Sequence, residues 1–133
     1  MINFCGFNRY EEDNEDKIEF ITKGNMFHKD GKYYIKYDQI DDNEVISTTV
    51  KIEDEKVTIL RYGSMNTQMI VEKGKKHLSY YETPQGAVTI GVYSDKVDVN
   101  IGESNGEIKL YYDVEFDNVL ASRNAIEIKY KQV

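Results

Sequence analysis

From residue 17 onward, apolar and polar side chains alternate with a period of two, and no other feature limits the fold as strongly. Ile108, Leu110, Tyr112, Val114 and Phe116 share one phase; Lys109, Tyr111, Asp113 and Glu115 share the other. Successive side chains of an extended chain point to opposite faces, so this pattern makes a sheet with one face shielded and one in water. The rhythm recurs over 32–40, 46–53, 57–62, 67–72, 77–83, 88–93, 97–101 and 124–131. It is weaker over 2–8. The connections are two to six residues long and rich in Gly, Asp and Asn. About ten or eleven short strands spaced in this way specify an all-β domain, a sandwich or an up-and-down barrel. Parallel pairing would need long crossovers, so the sheet is expected to be antiparallel.

Local signals refine the outline. Asp30-Gly31 and Asn105-Gly106 read as hairpin turns, because both residues of each pair tolerate positive φ. Gly24 interrupts an extended run and marks a bulge or bend. Ser94 to Lys96 is read as separating two strands, and Asn118 to Arg123 as a single helical turn. Residues 1–133 form one domain. Phe20, Ile35, Val50, Ile59, Met69, Val88, Val92, Leu110, Val114 and Ile128 should line the interior. A barrel of about eight strands has an interior that side chains fill or that holds one small ligand.

Composition narrows the function classes. The chain is 40% hydrophobic and 31% charged, a globular balance, with a net charge of −7. That charge repels phosphate backbones and anionic bilayers, so neither nucleic acid nor membrane is an expected partner. Cys5 is alone, which fits a reducing compartment, and the N-terminus lacks the pattern of a secretory signal. A cytoplasmic protein is expected.

The order of residues also resembles the YwiB-like family. The resemblance rests on Ile18-Glu19-Phe20, Gly24 and the tyrosine-rich 32–37 strand, then Thr49-Val50-Lys51-Ile52, Leu60-Arg61-Tyr62-Gly63 and Met69. It continues through Tyr81 to Gly86, Val97, Gly106-Glu107-Ile108, Tyr112, and Asn124 before Ile126 and Ile128. The match spans residues 15 to 130. It implies a calycin-like, lipocalin-like antiparallel β-barrel of about eight to ten strands and transfers no activity. The chain has no tryptophan, so the Trp–Arg stack of true lipocalins cannot form, and no helical lid like that of fatty-acid carriers.

Arg61 is the most suggestive residue. It shares the phase of Val57 and Ile59. A guanidinium there is a strand-end tie to a carboxylate or carbonyls, an anchor for an anionic ligand, or, if Gly63 resets the register, a solvent-facing charge. Tyr33, Tyr37, Tyr80, Tyr112 and Tyr130 are assigned to the inner face, where an apolar ring with a polar tip suits either core or pocket wall. Glu82, in phase with Leu78 and Tyr80, is the candidate partner of Arg61. The ligand-binding set is therefore Arg61, Tyr37, Tyr80, Glu82 and Tyr112.

His28 and His77 lack ligand spacing, Cys5 lacks a neighbouring base, and no calcium loop, nucleophile elbow or phosphate loop occurs. No metal, cofactor or catalytic residue is expected. The leading expectation is a non-enzymatic protein that binds a small, partly apolar ligand in a cavity of a few hundred Å3. The alternative is a filled-core interaction module that docks, as a homodimer for example, through Tyr34, Tyr62, Tyr81, Tyr93 and Tyr111.

Overall fold

The computed structural model describes residues 2–10, 15–41, 43–63, 66–83, 86–102 and 104–131, with side chains placed for 22–40, 43–63, 66–79, 86–102 and 104–131. Within these bounds every regular element is a strand: β1 (Ile2–Tyr10), β2 (Glu15–Thr22), β3 (Gly24–Lys29), β4 (Lys32–Asp41), β5 (Glu44–Glu53), β6 (Lys56–Tyr62), β7 (Thr67–Glu72), β8 (Lys75–Thr83), β9 (Gly86–Ile101), β10 (Asn105–Phe116) and β11 (Val119–Lys131). All ladders between them are antiparallel, in the spatial order β2-β1-β11-β10-β9-β8-β7-β6-β5-β4-β3.

The two edges of this sheet belong to nearly one strand. β2 pairs with β1 at one edge, β3 pairs with β4 at the other, and only Lys23 separates them. The Thr22 hydroxyl donates to the Asp38 carbonyl of β4 at 3.3 Å. The bend expected at Gly24 is thus the device that curls the sheet into a barrel. The wall is loosest between β7 and β8, which share the one register pair Glu72↔Lys75 among the described residues.

The interior follows the alternation. Ile35, Val50, Val57, Val71, Ile108, Leu110 and Ile128 have no accessible surface. They stack across the sheet in register, as in Ile35↔Val50↔Ile59↔Met69 and Val99↔Ile108↔Ile128. Each fully buried side chain of this size contributes about 1.5–3 kcal/mol. Ile59 and Val92 are also buried, and Met69 and Val114 pack half-buried against them. Phe20 lies outside the described side chains.

Four local readings are corrected. The separation expected at Ser94 to Lys96 is a β-bulge inside one continuous strand, β9, where the register against β10 shifts between Tyr111 and Asp113. Ser94 is buried; its hydroxyl donates to the Tyr111 carbonyl at 2.5 Å and accepts the Lys96 N–H at 3.2 Å, satisfying groups the extra residue would orphan. The helical turn expected over 118–123 is instead the start of β11. Asp117 and Asn118 have φ of 49° and 69° and close a two-residue hairpin, as Asp30 and Gly31 do at 54° and 76°. Positive φ at both central positions matches the right-handed twist of the flanking strands.

Asn105-Gly106 is not a turn centre. Both residues open β10, opposite Lys131 and Tyr130, and the connection from β9 is closed by the Gly102 N–H donating to the Asn105 carbonyl at 2.9 Å. Finally, the phase of β8 is inverted. His77 and Ser79 stand opposite Val92 and Ile90, whereas Leu78 stands opposite Gly91 and is 52% exposed. The apolar Leu78 suggested the wrong face. Its neighbour His77 is tolerated on the other because Nε2 lies 2.9 Å from the Glu72 carboxylate.

Candidate functional site

Arg61 ends the inward phase of β6. Val57 and Ile59, four and two residues earlier on that phase, are buried, while Arg61 itself is exposed. Its register partners are Thr48 on β5 and Thr67 on β7. The strand therefore leaves the core as it reaches Arg61, and the guanidinium stands where the lined interior meets water. Among the described residues no carboxylate forms an ion pair with it.

Tyr37 and Tyr112 share this region. Both are buried, on β4 and β10 respectively. Burial pushes the Tyr37 phenol above its ordinary value; the Thr48 hydroxyl and then the charge of Arg61 oppose the rise. Burial raises Tyr112 further, again against the Arg61 charge. One cation thus reaches phenols carried by two distant strands, and in both cases desolvation outweighs its attraction for a phenolate. Thr48 completes the row: its buried Oγ1 lies beside the Tyr37 ring without a hydrogen bond of good geometry.

The raised values carry a sign. A phenol that resists ionisation in the fold stabilises it fully below the unfolded value of 10.0, and that contribution is lost as pH rises through the higher folded value. Spectrophotometric titration should show Tyr37 and Tyr112 still protonated above pH 10.0, then ionising together with unfolding. Simultaneous titration of all eleven tyrosines near 10 would contradict the burial argument.

Of the five residues singled out in the sequence, Tyr37 and Arg61 both stand opposite Thr48 in the register, and Tyr112 feels the Arg61 charge. Tyr80 and Glu82 occupy β8 opposite Thr89 and Ala87, and their side chains lie outside the described residues. Tyr33, also assigned inward, is half-buried and stacks on His28 with ring centroids 4.3 Å apart.

A second feature escaped the sequence. A cavity of about 620 Å3 opens along β9, β10 and β11; Tyr93, Asp95, Tyr111, Asp113 and Arg123 line it, and so does Tyr112, while Arg61 does not. Tyr93 and Tyr111 were legible as exposed rings. The hollow between them was not, because it depends on the bulge at Asp95.

An antiparallel wall curled on an aliphatic core defines a small β-barrel protein. The chain belongs to the family described as "Domain of unknown function (DUF1934)", which it matches over residues 2–128. It is similar to the "Uncharacterized beta-barrel protein YwiB" of Bacillus subtilis (strain 168), at 22% identity over 121 residues, covering 91% of this chain and 85% of that protein. The crystal structure of the ywiB protein from Bacillus subtilis has the same fold, with a TM-score of 0.82 at 22% identity, covering 99% of this chain and 91% of that one. The YwiB-like resemblance and the antiparallel barrel expected from the sequence are both borne out.

Proposed function

We propose that this protein is a non-enzymatic, calycin-like binding protein that holds the anionic end of a small, partly apolar molecule on Arg61. The observation that carries the reading is the position of Arg61: on the inward phase, exposed, with no acidic partner among the described residues. A guanidinium with no ion-pair partner among the described residues is a ready bidentate site for a carboxylate. Tyr37 and Tyr112 supply flat, polar-tipped walls beside it, and their ordinary protonation at neutral pH leaves them as hydrogen-bond donors. The middle of the barrel is filled by aliphatic side chains, so the ligand sits at the end of the core rather than through it. The expected setting is the cytoplasm, on the single cysteine and the acidic balance.

The docking alternative fits less well. Tyr93 and Tyr111 line the cavity along β9, β10 and β11, whereas Tyr62 lies on β6 and the half-buried Tyr34 on β4. Only Tyr93 and Tyr111 lie on adjoining strands; Tyr62 and Tyr34 are on β6 and β4, so the set does not form one aromatic interface.

Calorimetry with decanoate and decanol tests the proposal. Decanoate should bind saturably and decanol should bind much more weakly, since only the former engages the guanidinium. Arg61→Gln should weaken decanoate about tenfold to a hundredfold while leaving decanol unchanged. Equal affinity of the two ligands, or an Arg61→Gln protein that retains decanoate, would remove it. Native mass spectrometry of the purified protein reads the alternative directly, as an even-numbered oligomer without a retained small molecule.

A further inference from the structure

We infer that the cavity along β9, β10 and β11 is a second binding site, separate from Arg61, for a neutral saccharide. Its volume of about 620 Å3 is the size of a small-molecule site, for which the usual span is roughly 300–1,000 Å3. The backbone beneath it is held in place. Asp95 is displaced outward by the bulge, and the buried Ser94 hydroxyl ties that bulge to the Tyr111 carbonyl and the Lys96 amide. The Gly74 N–H also donates to the Ser94 carbonyl at 2.7 Å, fastening the β7–β8 turn to the same point. Bulges recur beside functional sites because they re-aim side chains. Ala125, directly opposite Tyr111, leaves the depression unfilled.

The lining selects the ligand by charge. A cation gains little, because the Lys96 ammonium already stands 5.1 Å from the centre of the Tyr111 ring. An anion gains little either. Arg123 faces Asp113 at 3.9 Å, Lys109 is held by Glu107 at 3.0 Å, and the chain carries a net −7. What remains is a neutral molecule with many hydroxyls. The carboxylates of Asp95 and Asp113 accept from hydroxyls, Arg123 and the Tyr93 and Tyr111 phenols donate, and the apolar face of a sugar ring packs on an exposed tyrosine. Arg61, which has no ion-pair partner among the described residues, does not line this cavity, and that separates the two sites chemically.

Titration of nitrogen-15-labelled protein with maltotriose and with chitotriose, followed by amide shifts, tests the inference. Saturable shifts are expected at residues 93–96, 109–113 and 123–127. Tyr111→Ala and Asp113→Asn, both on the outer face, should each weaken binding about tenfold without moving the thermal transition much. Arg61→Gln should leave saccharide binding unchanged, which keeps this result independent of the decanoate experiment. Absence of a saturable shift with either sugar up to roughly 50 mM, or undiminished binding by Tyr111→Ala, would overturn it.

Discussion

Leu110→Ala is expected to lower the stability of the fold by about 3–4 kcal/mol, near the upper part of the range for leucine truncation in a packed core. Leu110 has no accessible surface and lies on β10 between Val97 of β9 and Ile126 of β11. Antiparallel ladders hold it on both sides, so the backbone cannot collapse into the vacated space. The lost transfer energy and the unfilled cavity therefore add. Against a total stability of about 5–15 kcal/mol, this is a large fraction. Urea denaturation should show the midpoint falling with the slope unchanged. Val119→Ala, at a position 68% exposed, should change the stability by less than about 0.5 kcal/mol. Similar losses for the two variants would contradict the placement of the core.

Gly106→Ala is expected to cost about 2–4 kcal/mol, although it adds a single methyl group. Gly106 faces Tyr130 across the β10–β11 ladder, and a Cβ there would overlap Cε1, Cζ and Oη of the Tyr130 ring. That ring is buried, and its hydroxyl donates to the Gly102 carbonyl at 2.6 Å. To admit the methyl, the ring must leave its position and give up the bond, exposing apolar surface and orphaning a carbonyl. The glycine is required here for space, since its φ is ordinary. In a Tyr130→Ala background the same Gly106→Ala change should cost little, and a double-mutant cycle in denaturant measures the difference. Additive losses would show that the strain lies elsewhere.

These two residues also show what could be read in advance. Leu110 was legible because β10 alternates without interruption from Ile108 to Phe116 and its register repeats that alternation against both neighbours. Asp30-Gly31 was legible because a glycine beside an aspartate is local turn chemistry. Asp117-Asn118 adopts the same backbone without a glycine, and without that signal the segment read as a helical turn. Asn105-Gly106 carried the signal and uses it otherwise: its glycine accommodates a ring from another strand, a reason invisible to local sequence. The β8 phase failed for a related cause. Leu78 and His77 compete for the inner face, and the choice is made by the ladder with β9 and by Glu72. At the candidate site, the phase of Arg61 was readable, as was the exposure of Tyr93 and Tyr111. The reach of the Arg61 charge to Tyr112 and the cavity along β9, β10 and β11 depend on how the sheet curls, which no window of sequence encodes.

The ladder between β1 and β11 joins residues at opposite ends of the chain, with Ile2 opposite Tyr130. During synthesis, β11 must leave the ribosome before β1 has its neighbour, and until then β1 has only β2 to pair with. The nascent chain therefore passes most of its assembly with an unprotected strand edge, vulnerable to pairing with other molecules. Completion depends on contacts of very large sequence separation, the kind that slow folding most. Barrel closure accordingly waits for β11, and the yield of native protein should be more sensitive to chaperone supply and expression temperature than its final stability suggests.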